Sequence, residues 1–122
     1  MRFIVKGAST ERPGRSPTAV FFDDLAGRGQ EPRLKSASGS LRFDMADGDR
    51  VEHWFVTLDN GDVSVSRSTS RADAVVRLDK SMSDGLVTGR INAMAAVLRG
   101  DLVPEGDLSL LLLFQRVFPG PT

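Results

Sequence analysis

The single histidine of the chain, His53, is the first residue whose type could carry chemistry, and it stands between Glu52 and Trp54. One imidazole cannot supply a metal site that needs two histidines, so such a site cannot form within one chain. A serine nucleophile would also depend on this imidazole as its general base, because a serine hydroxyl is a weak nucleophile without one. The alternating pattern around His53 favours a polar position on a strand over a catalytic base.

Four carboxylates lie close together in the sequence: Asp44, Asp47, Asp49 and Glu52. They do not match an EF-hand calcium loop, because the positions two and four before Asp47 are Met45 and Phe43, which cannot ligate the ion. The "GRG" at residues 27–29 lacks the preceding strand and the following lysine of a phosphate-binding loop. The sequence therefore predicts no catalytic residues, no metal site and no cofactor, and we expect that the protein is not an enzyme.

The bulk composition limits the possible partners. The chain of 122 residues is long enough for one domain that buries roughly two thirds of the surface of its unfolded chain. Sixteen basic and sixteen acidic residues cancel, so the overall charge does not attract nucleic acid or anionic membranes. The chain contains no cysteine, which excludes disulfides and thiolate sites and is typical of a cytoplasmic protein. No stretch is a signal peptide or approaches the roughly 20 apolar residues that span a bilayer.

The first half of the chain predicts one helix followed by four strands. Ser16 before Pro17 is typical of a helix start, and the helix should end near Ala26, where Gly27 and Gly29 follow. From residue 39 the apolar residues recur every second position, which predicts strands. The side chains expected on the buried face are Leu41, Phe43, Met45, Trp54, Val56, Leu58, Val63, Val65, Ala74, Val76 and Leu78. Because the turns between these strands are short, we expect an antiparallel meander.

The second half returns to a helical pattern. One short helix should carry Met82 and Leu86 and end near Gly89, and Asn92 should cap a second one that runs towards Gly100. Leu102 and Pro104 predict a short strand at a sheet edge, where a proline does not interrupt hydrogen bonding. Asp107 should cap the last helix, because its carboxylate is favourable at the positive helix end.

The last helix is apolar almost all round. At 100° per residue, one side carries Leu108, Leu111, Leu112 and Gln115, and most of the rest carries Leu110, Leu113, Phe114 and Val117. Only Ser109 and Arg116 leave a narrow polar stripe. A helix of this kind must be covered on two sides. One side can pack on the sheet, while the other needs a neighbouring helix, a partner subunit or a hydrophobic ligand.

The order of these elements resembles the sterol carrier protein type two family. The motifs that carry the resemblance are Ala72 and Asp73, Gly89, Arg90 and Asn92, Ala95 or Ala96, Gly100 and Leu102, and Gly106 and Asp107. Trp54 and Gly61 match a tryptophan and a turn glycine that recur in the family. The similarity covers about residues 17–118. The first fifteen residues lie outside it, and Pro104 and Glu105 replace residues that are usually apolar or basic.

The resemblance implies an α+β fold with a five-stranded mixed, mainly antiparallel sheet. Its helices cover one face around a hydrophobic tunnel that takes fatty acids, fatty acyl-CoA or sterol-like molecules. In these terms residues 1–15 form an extension with an edge strand at 2–6 and a loop, residues 16–118 form the lipid-binding domain, and residues 119–122 form a tail. The expected tunnel lining is Phe22, Trp54, Val56, Leu86, Ile91, Met94, Leu98, Leu102, Leu108, Leu111 and Leu112. Arg90 and Arg99 are the candidate contacts for a head group.

The function favoured by this resemblance is non-catalytic binding, and intracellular transfer, of a lipid by a monomer or homodimer that contacts membranes transiently. The alternative is a structural or dimerisation module of the same fold, whose last helix packs on a partner chain.

Overall fold

Residues 15–119 are described by the structure, a computed structural model. The helices are α1 (Pro17–Arg28), α2 (Lys80–Val87), α3 (Ala93–Arg99) and α4 (Leu108–Phe114), with short 3₁₀ turns at Pro32–Leu34 and Gln115–Val117. The strands are β1 (Ser38–Asp47), β2 (Arg50–Asp59), β3 (Asp62–Ser66), β4 (Ala74–Asp79) and β5 (Leu102–Gly106). The strand expected at residues 2–6 lies outside the described residues. The domain boundaries predicted at both ends stay predictions.

The helix caps read from the sequence are confirmed. The Ser16 hydroxyl accepts a hydrogen bond from the backbone N–H of Ala19 at 3.1 Å, and the Asn92 side chain accepts one from the N–H of Ala95 at 3.0 Å. Asp107 caps α4 in the same way. Helix α1 continues two residues beyond its predicted end, because Gly29 rather than Gly27 takes the left-handed conformation, with φ of 69°. These local contacts place α1, α3 and α4 where the sequence predicts them.

The sheet is five-stranded and mixed, in the order β3-β2-β1-β4-β5. This confirms the predicted fold class and the position of β5 at an edge. The predicted antiparallel meander is wrong at its fourth strand, since β4 pairs with β1, in parallel. β3 and β4 therefore do not touch, and the chain crosses β2 and β1 between them.

The strand register explains how seven residues make this crossover. Ser66, the last residue of β3, lies opposite Phe55, which lies opposite Arg42. Arg42 in turn lies beside Val75, near the start of β4. The end of β3 is thus level with the start of β4 along the strand direction. The link therefore has to cross the sheet only at right angles to the strands, over about three strand spacings or ~14 Å. Residues 67–73 can reach up to about 23 Å when extended, so no crossover helix is required.

Arg42 holds this crossover against the sheet. Its guanidinium donates hydrogen bonds to the carbonyl oxygens of Thr69 and Ser70 at 3.3 and 3.0 Å. Farther along, the Asp73 carboxylate accepts from the backbone N–H of Ser40 at 2.9 Å. The link therefore runs over the face of the sheet that carries Arg42, which we call the open face, while the helices pack on the other, covered face.

Candidate functional site

The covered face of the sheet carries the residues that the alternation predicts. Leu41, Phe43 and Met45 of β1 are buried, and so are Trp54, Val56 and Leu58 of β2. The register pairs Leu41 with Val56 and Phe43 with Trp54. Helices α1, α2 and α4 pack on this face. The shared face predicted for these strands is confirmed, and it forms the floor of any site between sheet and helices.

The α1 end of this face is filled by aromatic side chains. Within residues 15–119, six aromatic side chains form a single cluster, which comprises Phe21, Phe22, Phe43, Trp54, Phe114 and Phe118. Phe22 stacks on Trp54 with ring centroids 5.0 Å apart, and Phe43 lies 5.4 Å from Phe114. Such ring contacts stabilise the fold beyond the area that they bury. At this end the protein itself occupies the space beneath α1.

The β5 end of the molecule is different, because both helices that contact β5 keep large apolar side chains exposed. Met94 and Leu98 of α3 are 40% and 84% exposed, and Leu108 and Leu112 of α4 are 47% and 39% exposed. We use the β5-side apolar surface as a collective name for these four residues, which belong to two separate helices. In α4 the neighbouring Leu111 is only 4% exposed. The last helix therefore packs one side on the sheet, and its second side stays uncovered by residues 15–119.

The residues predicted to line a ligand site fall into three groups in the structure. Six are buried in the core: Phe22, Trp54, Val56, Leu86, Leu102 and Leu111. Ile91 is half-buried and packs closely on Gly85 of α2. The other four form the β5-side apolar surface. The structure thus gives each residue a place, and its role towards a ligand stays a prediction.

The two predicted head-group residues flank α3, and both are exposed. Arg90 lies before the helix and donates a hydrogen bond to the Thr88 hydroxyl at 3.2 Å. Arg99 is the last residue of the helix, and its Nε donates to the Asp101 carboxylate at 2.9 Å. The charge of Arg99 is therefore already partnered.

A cavity of about 570 Å³ lies at the rim of the sheet beside the ends of β4 and α3. Its apolar lining includes Val51, Leu78, Met82 and Val103. Sequence reasoning missed this cavity because its walls come from segments far apart in the chain. One signal was available, since Val51 and Val103 are apolar at positions that the alternation assigns to the open face.

His53 lies on the open face, in contact with Asp44. The His53 Nδ1 is 2.7 Å from an Asp44 oxygen, and the Arg42 guanidinium donates to both oxygens of that carboxylate at 3.0 and 3.1 Å. Burial raises the pKa of Asp44, but the hydrogen bonds from Arg42 and His53 outweigh it and leave the pKa below its ordinary value. Asp44 therefore stays ionised and joins β1 to β2 on the open face.

Two further findings concern residues 15–119 alone. No group of three or more histidine, cysteine, aspartate and glutamate side chains in this part is placed to hold a metal ion. No helix in it is both long and apolar enough to cross a membrane.

Sequence comparison gives a family and longer relatives. The profile of the SCP-2 sterol transfer family matches residues 22–119. The Hydroxysteroid dehydrogenase-like protein 2 of Xenopus tropicalis is 25% identical over 112 residues, which are 90% of this chain and 27% of that protein. The chain spans about a quarter of the length of the curated relatives it matches.

Comparison of structures gives the same fold. The sterol carrier protein domain 2 of Helicoverpa armigera aligns with a TM-score of 0.69 at 16% identity, over 93% of this chain and 98% of that one. The Sterol Carrier Protein-2 of Aedes aegypti, solved in complex with the C16 fatty acid palmitate, aligns with a TM-score of 0.63 at 19% identity, over 84% of this chain and 94% of that one. At these identities the likeness establishes the fold, in agreement with the resemblance read from the sequence.

Proposed function

Because the chain belongs to the SCP-2 sterol transfer family, we propose that it binds a lipid without catalysing a reaction. The ligand class is a fatty acid, a fatty acyl-CoA or a sterol-like molecule. The observation that carries the proposal is the β5-side apolar surface, where four large apolar side chains of α3 and α4 are exposed. The Aedes aegypti protein that shares this fold was solved with palmitate, which supports an acyl chain as the ligand.

The energetics are adequate for an acyl chain. About 15 methylenes at roughly 0.8 kcal/mol each provide about 12 kcal/mol of gross driving force. Association costs of roughly 4 to 15 kcal/mol offset much of it. Micromolar to nanomolar affinity is the expected range. The unbranched thioether of Met94 adapts to different shapes, so we expect broad selectivity among chains of similar length.

The ligand belongs at the β5 end rather than beneath α1. Phe22, Trp54 and Phe114 already fill the space at the α1 end, and displacing them would break aromatic contacts. The β5-side residues lose no protein contact when a ligand covers them. A non-catalytic role is supported by the position of His53, whose imidazole pairs with Asp44 on the opposite face of the sheet. Transfer of the lipid would follow from release at a membrane.

A second candidate function uses the same exposed side chains. The outward leucines of α4, Leu108 and Leu112, could pack on a partner chain in a dimerisation or structural module. The curated relatives are longer proteins, and this chain spans about a quarter of their length. This favours a module that packs on another part of a longer protein. In this case the apolar surface would be buried in a dimer and would take no lipid.

Native mass spectrometry of gently purified protein separates the two candidates. A monomer with extra mass that extracts as lipid supports the binding function, while an empty dimer that takes up no fluorescent fatty acid contradicts it. Leu112→Glu should then reduce uptake strongly, because a carboxylate on the apolar surface opposes burial. Val20→Glu is the matched control, since Val20 is 51% exposed on α1, and it should leave uptake unchanged.

A further inference from the structure

A small polar pocket lies where the β1–β2 hairpin meets the start of α2. Its volume is about 270 Å³, and its lining residues are Asp47, Arg50, Val51, Glu52, Arg67 and Lys80. Three cations and two carboxylates give this pocket a formal net charge of +1. It differs in this respect from the 570 Å³ cavity, whose charged lining is mainly acidic.

The Glu52 carboxylate in the pocket is already saturated. It accepts a hydrogen bond from the indole Nε1 of Trp54 at 2.7 Å, and it pairs with the Lys80 ammonium at 3.1 Å. The Arg67 guanidinium is 3.9 Å away. Burial raises the pKa of Glu52, but the hydrogen bonds from Trp54 and Lys80 outweigh it, and the pKa lies below its ordinary value. Glu52 therefore helps to hold Lys80 and Arg67 in place, and Lys80 also lies 3.8 Å from the Asp47 carboxylate.

Arg67 and Arg50 differ in how firmly the protein holds their guanidinium groups. Arg67 is fixed, because its Nε donates to the carbonyl oxygen of His53 at 2.6 Å and its guanidinium lies 4.0 Å above the Trp54 ring. Arg50 is exposed, and it makes no ion pair within 4 Å among the described residues 15–119. Trp54 also stacks on Phe22. The pocket thus combines a fixed cation and an available cation.

We propose that this pocket, formed by Arg50, Arg67 and Lys80, binds the carboxylate or phosphate group of an anionic ligand. Charge-assisted hydrogen bonds from guanidinium groups match the planar or tetrahedral oxygens of such groups. A water molecule occupies about 30 Å³ of liquid, so the pocket holds one such group together with several waters. If the anion is the head group of a lipid, that part of the proposal rests on the proposed function. Binding of the anion itself does not.

The proposal differs from the sequence expectation about the head group. Arg90 and Arg99 flank α3 outside this pocket, and Arg99 pairs with Asp101. They provide a matched control, because a change of two arginines there removes as much charge as a change of two cations in the pocket.

Trp54 is the only tryptophan, so its fluorescence reports directly on the pocket. We would titrate the protein with dodecanoate, with dodecanol and with inorganic pyrophosphate, and confirm each affinity by calorimetry. Arg50→Gln should weaken dodecanoate binding about tenfold and leave dodecanol binding unchanged. The double variant Arg50→Gln, Lys80→Gln should weaken dodecanoate binding further. The double variant Arg90→Gln, Arg99→Gln should leave dodecanoate binding unchanged. Thermal unfolding checks that each variant folds. If the double variant does not fold, Arg50→Gln alone is enough to test the anion site.

The outcomes are distinguishable. If the acid and the alcohol bind the wild type and Arg50→Gln changes neither, or both equally, the head-group role of the pocket is wrong, the proposed function stands, and the pyrophosphate titration decides whether the pocket binds an anion. If neither amphiphile binds, the proposed function fails. A fluorescence response to pyrophosphate that Arg50→Gln weakens would then still support the anion site, with a free phosphate as its ligand, and no response would overturn it. A larger effect of the Arg90 and Arg99 changes than of the pocket changes would also overturn it.

Discussion

The covered face of the sheet is buried from β2 to β5, but the helices over it differ. At the α1 end, the closed end, aromatic rings are packed between helix and sheet, whereas at the β5 end, the open end, α3 and α4 carry large apolar side chains that stay exposed. At the α1 end, six aromatic rings pack on one another, and Phe22 and Phe114 are 1% and 0% exposed. At the β5 end, Leu98 is 84% exposed. Apolar character alone therefore does not make a core residue. A side chain is buried only where a second element of the fold lies over it.

The length and packing of the helices explain why apolar side chains are exposed at one end and buried at the other. Helix α1 has twelve residues and presents Phe21 and Phe22 to the aromatic cluster. Helices α3 and α4 have seven residues each. Helix α3 packs on the edge strand β5, and helix α4 packs across β1, β4 and β5. Their outer sides are not covered by another element of residues 15–119, since Leu98 and Leu108 are 84% and 47% exposed. This is the arrangement expected of a surface that is covered by something other than this segment.

The sharpest test of the comparison replaces one residue on the buried side of α4 and one on its exposed side. Phe114→Ala should lower the free energy of unfolding by about 4 kcal/mol, because it removes a fully buried ring and leaves a cavity. Leu112→Ala, two positions earlier in the same helix, should cost less than about 1 kcal/mol because its side chain is already exposed. Urea denaturation measures both. Equal losses would show that Leu112 is buried in solution and that the open end is closed by another chain.

A buried carboxylate at the closed end gives the second largest effect. Glu31 is 2% exposed and accepts hydrogen bonds from the side chain of Arg33 at 2.6 and 2.8 Å and from Arg28 at 2.8 Å. The Arg33 side chain also donates to the carbonyl oxygen of Arg116. The hydrogen bonds from Arg33 are the largest cause that lowers the pKa of Glu31 from 4.5 to about 2, against the effect of burial. The carboxylate therefore links the end of α1 to the C-terminal 3₁₀ turn.

The sign of the pH dependence follows from that lowered pKa. The stabilisation by Glu31 is complete above pH 4.5 and is lost as the pH falls towards about 2, where the folded protein binds the proton. Because the two arginines are partly exposed and water screens them, we expect Glu31→Gln to cost about 2 kcal/mol at pH 7. The difference in the free energy of unfolding between Glu31→Gln and the wild type should be smaller at pH 3. Glu105→Gln, which removes an exposed pair with Arg77 at the β5 end, should give no measurable change at either pH.

A smaller loss is expected for the polar contact between α1 and α2. The Thr18 hydroxyl is fully buried, lies 2.8 Å from the Ser83 hydroxyl and donates to the Asp84 carboxylate at 2.7 Å. Thr18→Val keeps the volume but leaves both partners without this hydroxyl, and it should cost about 1.5 kcal/mol by urea denaturation. Thr57→Val, at an exposed position of β2, serves as the control. A neutral Thr18→Val would show that the contact between α1 and α2 is looser than the structure indicates.

The smallest effect on stability should come with a clear effect on binding. Leu98→Ser should change the free energy of unfolding by less than about 0.5 kcal/mol, because its side chain is almost wholly exposed. It should weaken uptake of a fluorescent fatty acid about tenfold, since a bound chain loses one apolar partner. Val20→Ser should affect neither quantity. Unchanged uptake in Leu98→Ser would place the ligand away from α3.

Much of the fold could be predicted because its signals are local. Ser16, Asn92 and Asp107 cap their helices through side chains that reach backbone groups two or three residues away. Asn60 and Gly61 take positive φ angles in the tight turn before β3, as their types predict. The partner of β4 could not be predicted in this way. It depends on how far β3 extends, and the five-residue length of β3 lets a short link cross the sheet.

The candidate site was predicted only in part. All four residues of the β5-side apolar surface are among those predicted to line the site, but so are core residues such as Leu111. Leu111 and Leu112 are neighbours of the same type, so their patterns cannot say which one faces the sheet. The cationic pocket escaped notice because Arg50, Arg67 and Lys80 are separated along the chain and carry no motif.

The sequence by itself determined the elements, their caps, the buried face of each strand and the family resemblance that the profile match confirmed. These properties depend on the chemistry of near neighbours and on the periods of helix and strand. Tertiary structure alone decided that β4 lies beside β1, that Leu112 faces outward and that three distant cations share one pocket. Each of these depends on where the chain returns in space after a turn, and contacts between segments far apart in the sequence determine that position.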